Sequence, residues 1–131
     1  MSEANEFSLQ LSKEWQLAVD DITEAVAGIG LLVLRGVVLK SPVDTGRFKG
    51  NWIVSSGSPS DETTEKTDKA GGVTIEQGAA VLNGYPDTLP PIYVQNNLPY
   101  ANRLENGHSK QAPNGMAALT VAEITAQLDH G

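Results

Sequence analysis

Ile92–Met116, IYVQNNLPYANRLENGHSKQAPNGM, constrains the backbone more tightly than any other stretch of this 131-residue chain. Ile92, Val94 and Asn96 alternate with Tyr93, Gln95 and Asn97, the period-two pattern of a half-buried strand. Asn97 stands where a helix N-cap is wanted, and Pro99 falls in the first helical turn, where its missing N–H is not needed. Tyr100 and Leu104 lie on one face of the short helix expected next. Asn106-Gly107 supplies left-handed residues to stop it. Pro113-Asn114-Gly115 then breaks the chain before a last helix.

Upstream, the pattern predicts a helix that begins between Leu9 and Ser12, after a flexible tail over 1–8. It ends near Lys40, because Pro42 disfavours helical geometry at Ser41. Trp15, Val19, Ile22, Val26, Ile29, Val33 and Val37 recur at three- and four-residue steps as one stripe. Farther along, Leu31, Leu32, Leu34, Val38 and Leu39 add apolar side chains all round, and such a helix is expected to be buried on every side. One small sheet covers only one face, so the other calls for the C-terminal helix or another subunit. Gly28, Gly30 and Gly36 each cost about 1 kcal/mol of helix propensity against Ala, which favours close approach of a neighbouring backbone. The apolar run Ala25–Leu39 is fifteen residues long with Arg35 inside it. A bilayer needs roughly twenty, so a buried soluble helix is the expected reading.

Asn51–Ser55 reads as a strand leaving a turn at Asp44-Thr45-Gly46. Ser55–Gly72 is polar and without periodicity, the pattern of a mobile loop. Gly72–Glu76 is expected as a second strand, Gln77–Asn83 as an ambiguous segment that could form a short helix, and Pro86–Pro91 as an extended connection. Met116–Leu128 places Ala117, Val121, Ile124 and Leu128 on one side of a helix capped by Asn114. The sum is a single α+β domain: a long N-terminal helix and a C-terminal helix packed on a small, mainly antiparallel sheet.

Composition narrows the chemistry. There is no cysteine for a disulfide or thiolate metal site. Nine basic and sixteen acidic side chains give a net charge of −7, the wrong sign for a protein that grips phosphates. Asp44-Thr45-Gly46 is the tripeptide of homodimeric aspartic proteases, in which two aspartates share a proton. Here it follows a helix and Pro42 rather than a strand, and Arg47 comes next, which favours an ionised carboxylate. The alternative is a tight turn closed by Asp44 and Thr45, with Gly46 at positive φ and Asp44 buried against Arg47 or Arg103. Glu105 and His108 do not make a zinc site, and Glu105 is expected to pair with Arg103, Arg47 or Lys110. No catalytic, cofactor or metal residue is expected, and specific DNA recognition by Arg47, Lys49, Arg103 and Lys110 is not expected either.

Two dense blocks carry a family likeness. Ser41–Trp52, SPVDTGRFKGNW, is followed about forty residues later by NNLPYANRLENG and SKQAPNG, in that order. Together they resemble the neck proteins of long-tailed bacteriophages, also called head–tail joining or tail-completion proteins and grouped with minor tail protein Z. The resemblance spans roughly Ser8 to the end. It implies a non-enzymatic virion protein forming a closed ring, a hexamer, in the neck. Its partners would be copies of itself, the head-closure or connector protein, and the tail terminator or tail tube protein. Genomic DNA would pass through without specific binding, no membrane would be involved, and assembly would take place in the host cytoplasm. The motif residues singled out for structure or interface are Asp44, Thr45, Gly46, Arg47, Trp52, Asn97, Tyr100, Arg103, Glu105, Gln111 and Pro113. A tail terminator, which shares the ring-forming role, is the alternative within virion proteins. The aspartic protease is the alternative from another class.

Overall fold

The computed structural model describes residues 3–106 and 115–130. The fold is α+β: a long N-terminal helix and a C-terminal helix frame a two-stranded antiparallel sheet and a middle helix. Helix α1 runs over Glu3–Lys40, β1 over Trp52–Ser56, α2 over Gly72–Asn83, β2 over Ile92–Asn96, α3 over Ala101–Glu105 and α4 over Ala117–His130. A single 3-10 turn, Lys49–Asn51, leads into β1.

Helix α1 starts several residues before the expected Leu9–Ser12, so residues 3–8 are helical rather than a tail. No Gly or Pro interrupts the chain before Gly28, and Glu6 suits the positive end of a helix dipole. At the other end, Ser41 Oγ donates to the Val37 carbonyl at 2.6 Å and Trp52 Nε1 donates to Ser41 Oγ at 2.7 Å. The last turn of α1 is thus tied to the first residue of β1.

The sheet pairs Trp52 with Asn96, Val54 with Val94 and Ser56 with Ile92. Alternation sends Trp52, Val54, Ile92 and Val94 to one face. There they meet α1 in two adjoining clusters. Leu34, Val38, Val54 and Leu82 form one, and Val37, Phe48, Leu98 and Met116 form the other. The whole core therefore hangs on one stretch of α1, Leu34–Val38.

Gly72–Glu76 is the first part of α2, not a strand. Val73, Thr74 and Ile75 are β-branched and read locally as strand, but the Asp68 carboxylate decides the outcome. It accepts the backbone N–H of Gly71 at 3.0 Å and of Thr74 at 2.8 Å, and the Thr74 hydroxyl at 2.7 Å. Those contacts satisfy a helix N-terminus, which outweighs the modest β preference of the side chains. Burial pushes the Asp68 carboxyl up, yet the bonds from Thr74 and Gly71 with the Lys66 charge prevail and hold it below its ordinary value.

Two of the three α1 glycines sit at close approaches, and both meet side chains rather than backbone. A Cβ at Gly36 would collide with the Thr120 side chain of α4, and one at Gly30 would touch Leu82 and Ile92 at 3.2 and 3.3 Å. Gly28 faces open space. Helix α4 therefore crosses α1 on the face that buries Ala117, Thr120 and Ile124, whereas Val121 and Leu128, expected on the packed side, are exposed.

The expected Asn114 cap and the Gly107 stop lie outside the described residues. What serves the start of α4 is Glu105. Its carboxylate accepts the N–H groups of Met116, Ala117 and Ala118 at 3.0, 2.8 and 3.1 Å. Among the described residues this replaces the expected pairing with Arg103 or Arg47, and Lys110 lies outside them. Burial raises the Glu105 carboxyl, but the bonds from Ala117, Met116 and Ala118 outweigh it and lower the pKa.

Candidate assembly interface

The two motif blocks meet in space. Asn96 Nδ2 donates to the Phe48 carbonyl at 2.9 Å, and the Phe48 ring stands edge-on to Trp52 at 5.9 Å and tilted on Tyr100 at 5.8 Å. Gly46 takes φ = +89°, as expected of the turn, and Arg47 N–H donates to Thr45 Oγ1 at 3.2 Å. Asp44 differs from expectation. It is exposed and accepts no hydrogen bond among the described residues, so it is neither a buried turn-former nor half of an aspartate pair within this chain.

The segment after β1 is bounded differently from expectation: Ser55 and Ser56 belong to β1 and Gly72 to α2, which leaves residues 57–71. That loop is stapled to both motif blocks. Asn51, fully buried, donates to the carbonyls of Arg47 at 2.6 Å and Thr64 at 3.0 Å, while its own oxygen accepts Thr64 N–H at 2.9 Å. Asn97 does not cap α3. Its Nδ2 reaches the carbonyls of Ser60 and Glu62, both at 3.0 Å, and Gln95 Oε1 accepts Ser60 N–H at 2.7 Å. Asp68 N–H donates to the Gly46 carbonyl at 2.9 Å. Nothing in sequence spacing pointed to these long-range amide contacts, since an Asn two residues before Pro99 reads equally well as a cap. Tyr100 fills the N-cap position of α3 without a side-chain bond, and Asn106, at φ = −82°, ends that helix outside the left-handed region.

Of the basic side chains singled out, Arg47 is engaged internally, with the Thr64 carbonyl at 3.3 Å and Glu65 at 3.2 Å. Lys49 lies buried under the turn, and Arg103 is exposed with no partner among the described residues. Gln111 and Pro113, with His108 and Lys110, lie outside the described residues.

A small apolar-floored cavity of about 290 Å³ lies beside the turn, lined by Pro42, Asp44, Thr45, Phe48, Tyr100 and Leu104. Among the described residues its lining holds one exposed carboxylate and no nucleophile paired with a base. Among the described residues there is no cluster of three or more potential metal ligands.

The larger uncovered surface is α1 itself. The expected stripe is buried only at its end: Val37 is in the core, whereas Ile29, Ile22 and Trp15 are 37, 50 and 72% exposed. Leu32 and Leu39, on other sides of the helix, are also exposed. Burial on every side, expected from the sequence, is not achieved within one chain. The sheet and α2 cover one face, α4 covers part of a second, and the N-terminal half projects past all of them. Where the stripe reaches the body, Val26, Ile29, Gly30 and Val33 form an apolar groove of about 320 Å³ with Ile92 and Val94 of β2.

The fifteen-residue apolar run also understates α1. By length and composition alone, its Ser8–Lys40 portion is long and apolar enough to cross a membrane. The same portion supplies Leu34, Val37 and Val38 to the core, however, and a bilayer crossing would strip β1, α2 and α4 from it. No protein-family model, curated protein or solved structure matches this chain.

Proposed function

We propose that this chain is a ring subunit of the neck of a long-tailed bacteriophage, joining the head-closure protein to the tail tube around the passing genome. One observation carries the reading: a single chain presents both a projecting, uncovered apolar stretch at Trp15 and Ile22 and, farther along the same helix, an apolar groove at Val26, Ile29, Val33, Ile92 and Val94. Trp15 and Ile29 are fourteen residues apart, about 21 Å along the helix axis. A projecting surface and a receiving surface at different places on one molecule make a head-to-tail contact, and such contacts close into rings when the rotation permits. Exposed apolar side chains in this number mark an interaction surface.

The motif blocks support the same reading in another way. They build the stapled unit of turn, loop and β2, whose residues serve backbone geometry rather than chemistry. A protein whose work is to present interfaces needs such a rigid frame and no activated nucleophile. The acidic balance suits a channel that DNA must traverse without sticking, because like charge lowers residence on the wall. Six copies would carry 6 × −7 = −42.

Electron microscopy of the purified chain, alone and mixed with the head-closure and tail-tube proteins of the same virion, tests the proposal. Closed six-fold rings are expected, and Trp15→Asp with Ile22→Asp should abolish them while leaving the circular dichroism spectrum unchanged. Absence of rings under both conditions, or a virion reconstruction with this chain outside the neck, refutes it.

A further inference from the structure

A second stripe runs along α1 more than a third of a turn away from the first. Leu17, Asp21, Gly28, Leu32, Arg35 and Leu39 recur at three-, four- and seven-residue steps, and all six are exposed. Leu17, Leu32 and Leu39 are 64, 45 and 57% exposed. Arg35 has no hydrogen-bond or ion-pair partner among the described residues, and the residues three and four positions away on its own helix, Leu31, Leu32, Val38 and Leu39, are all apolar. Gly28 sits midway, and a Cβ built there meets nothing within 4 Å. Nothing within the chain's own packing therefore explains why this position is a glycine in a helix.

Apart from Leu32, whose counterpart on reversal is Glu24, the stripe is complementary to itself when reversed. Asp21 and Arg35 are each seven residues from Gly28, and Leu17 and Leu39 are each eleven residues from it. We infer that α1 pairs antiparallel with the α1 of a second copy along this stripe, about a two-fold axis at Gly28. Each Asp21 then faces the second copy's Arg35, with Glu24 one turn away on the same side, and the leucines close both ends. A two-fold contact demands this reciprocity, in which residue i meets j and j meets i. Parallel pairing would set Asp21 against Asp21 and Arg35 against Arg35. Glycine at the axis lets the two backbones approach, and the stripe spans roughly 33 Å from Leu17 to Leu39. A contact one helix wide is small, so the pair is reversible and weakened by salt. The inference does not rest on the neck reading, because it uses the other face of α1 and applies to the free subunit.

The absence of cysteine makes the test direct. Gly28→Cys in the full chain, oxidised mildly, is expected to give a disulfide-linked dimer, since residues at the axis bring their Cα atoms within the roughly 4.4–6.8 Å that a disulfide needs. Leu17→Cys alone should stay monomeric on a non-reducing gel, whereas an equal mixture of Leu17→Cys and Leu39→Cys should cross-link. By sedimentation, Arg35→Glu should weaken the dimer at least about tenfold, and adding Asp21→Arg and Glu24→Arg to it should restore association. Cross-linking of Leu17→Cys with itself would mean parallel pairing and overturn the inference. So would an unmodified protein that sediments as a monomer at high concentration, or one that floats with neutral phosphatidylcholine vesicles in place of dimerising. Rings without the Gly28→Cys cross-link would refute the inference and leave the neck reading standing. Cross-linked dimers without rings would do the reverse.

Discussion

Removing the carboxylate of Glu105 should unwind the start of α4 and loosen the part of the core that depends on it. Three backbone N–H groups that no helical carbonyl can reach, those of Met116, Ala117 and Ala118, all end on this one side chain. Loss of a side-chain cap costs about 0.5–2 kcal/mol, and an anion at a helix N-terminus adds roughly 0.3–1 kcal/mol where solvent screens it little. Glu105 is only partly buried, so the electrostatic share is discounted and Glu105→Ala should cost about 1–2 kcal/mol. Glu105→Gln keeps one acceptor oxygen, which can serve Met116 and Ala117, but turns an amide toward the Ala118 donor, and about half that loss is expected. The assay is urea unfolding followed by far-ultraviolet circular dichroism and by fluorescence of Trp52, the tryptophan tied into the fold. The pH dependence has a definite sign. The folded pKa lies below the ordinary value near 4.5, so the stabilisation is complete above that value and disappears as pH falls through the folded pKa. The gap between Glu105→Gln and the unmodified protein should therefore be full at pH 7 and shrink in acid. Asp68, lowered for the same kind of reason, adds to the acid sensitivity of both proteins and cancels in the difference. Equal stability of the two proteins at pH 7, or a gap that persists undiminished in acid, would refute the capping argument.

Asn51→Leu should destabilise the fold by about 2–4 kcal/mol in the same denaturation assay, because it strands the Thr64 N–H and the Arg47 carbonyl and leaves the Thr64 carbonyl with the Arg47 side chain alone. For the same reason, deleting 59–69 should lower stability rather than merely shorten a spacer, which a thermal melt would show. Gly36→Ala sets about 1 kcal/mol of helix propensity against a Cβ that collides with the Thr120 side chain, and a net loss of about 0–2 kcal/mol in unfolding free energy is expected. Asp44→Asn should change stability by less than about 0.5 kcal/mol, since the carboxylate is exposed and unbonded, and peptide hydrolysis abolished by that substitution would revive the protease reading.

The sequence by itself determined the elements whose signals are local. A stripe at helical spacing that ran into Pro42 marked the end of α1, the run leaving the Asp44-Thr45-Gly46 turn marked β1, and alternation marked β2, both strands to within a residue. Glycine at 46 was legible because a tight turn after Pro42 needs positive φ there. Three things were legible only in the tertiary structure. The register Gly72–Glu76 became helix because a carboxylate four residues upstream satisfied its first N–H groups, and such a bond is invisible to a pattern of side-chain polarity. Glu105 and Asn97 found partners ten or more residues distant, where sequence offers many candidates and only the packed chain brings one into reach. Most consequential, the apolar excess of α1 was plain in the sequence, but which residues stay uncovered was not. Periodicity reports how much apolar surface a helix carries, whereas coverage depends on how far a two-stranded sheet and two shorter helices can extend along a thirty-eight-residue helix.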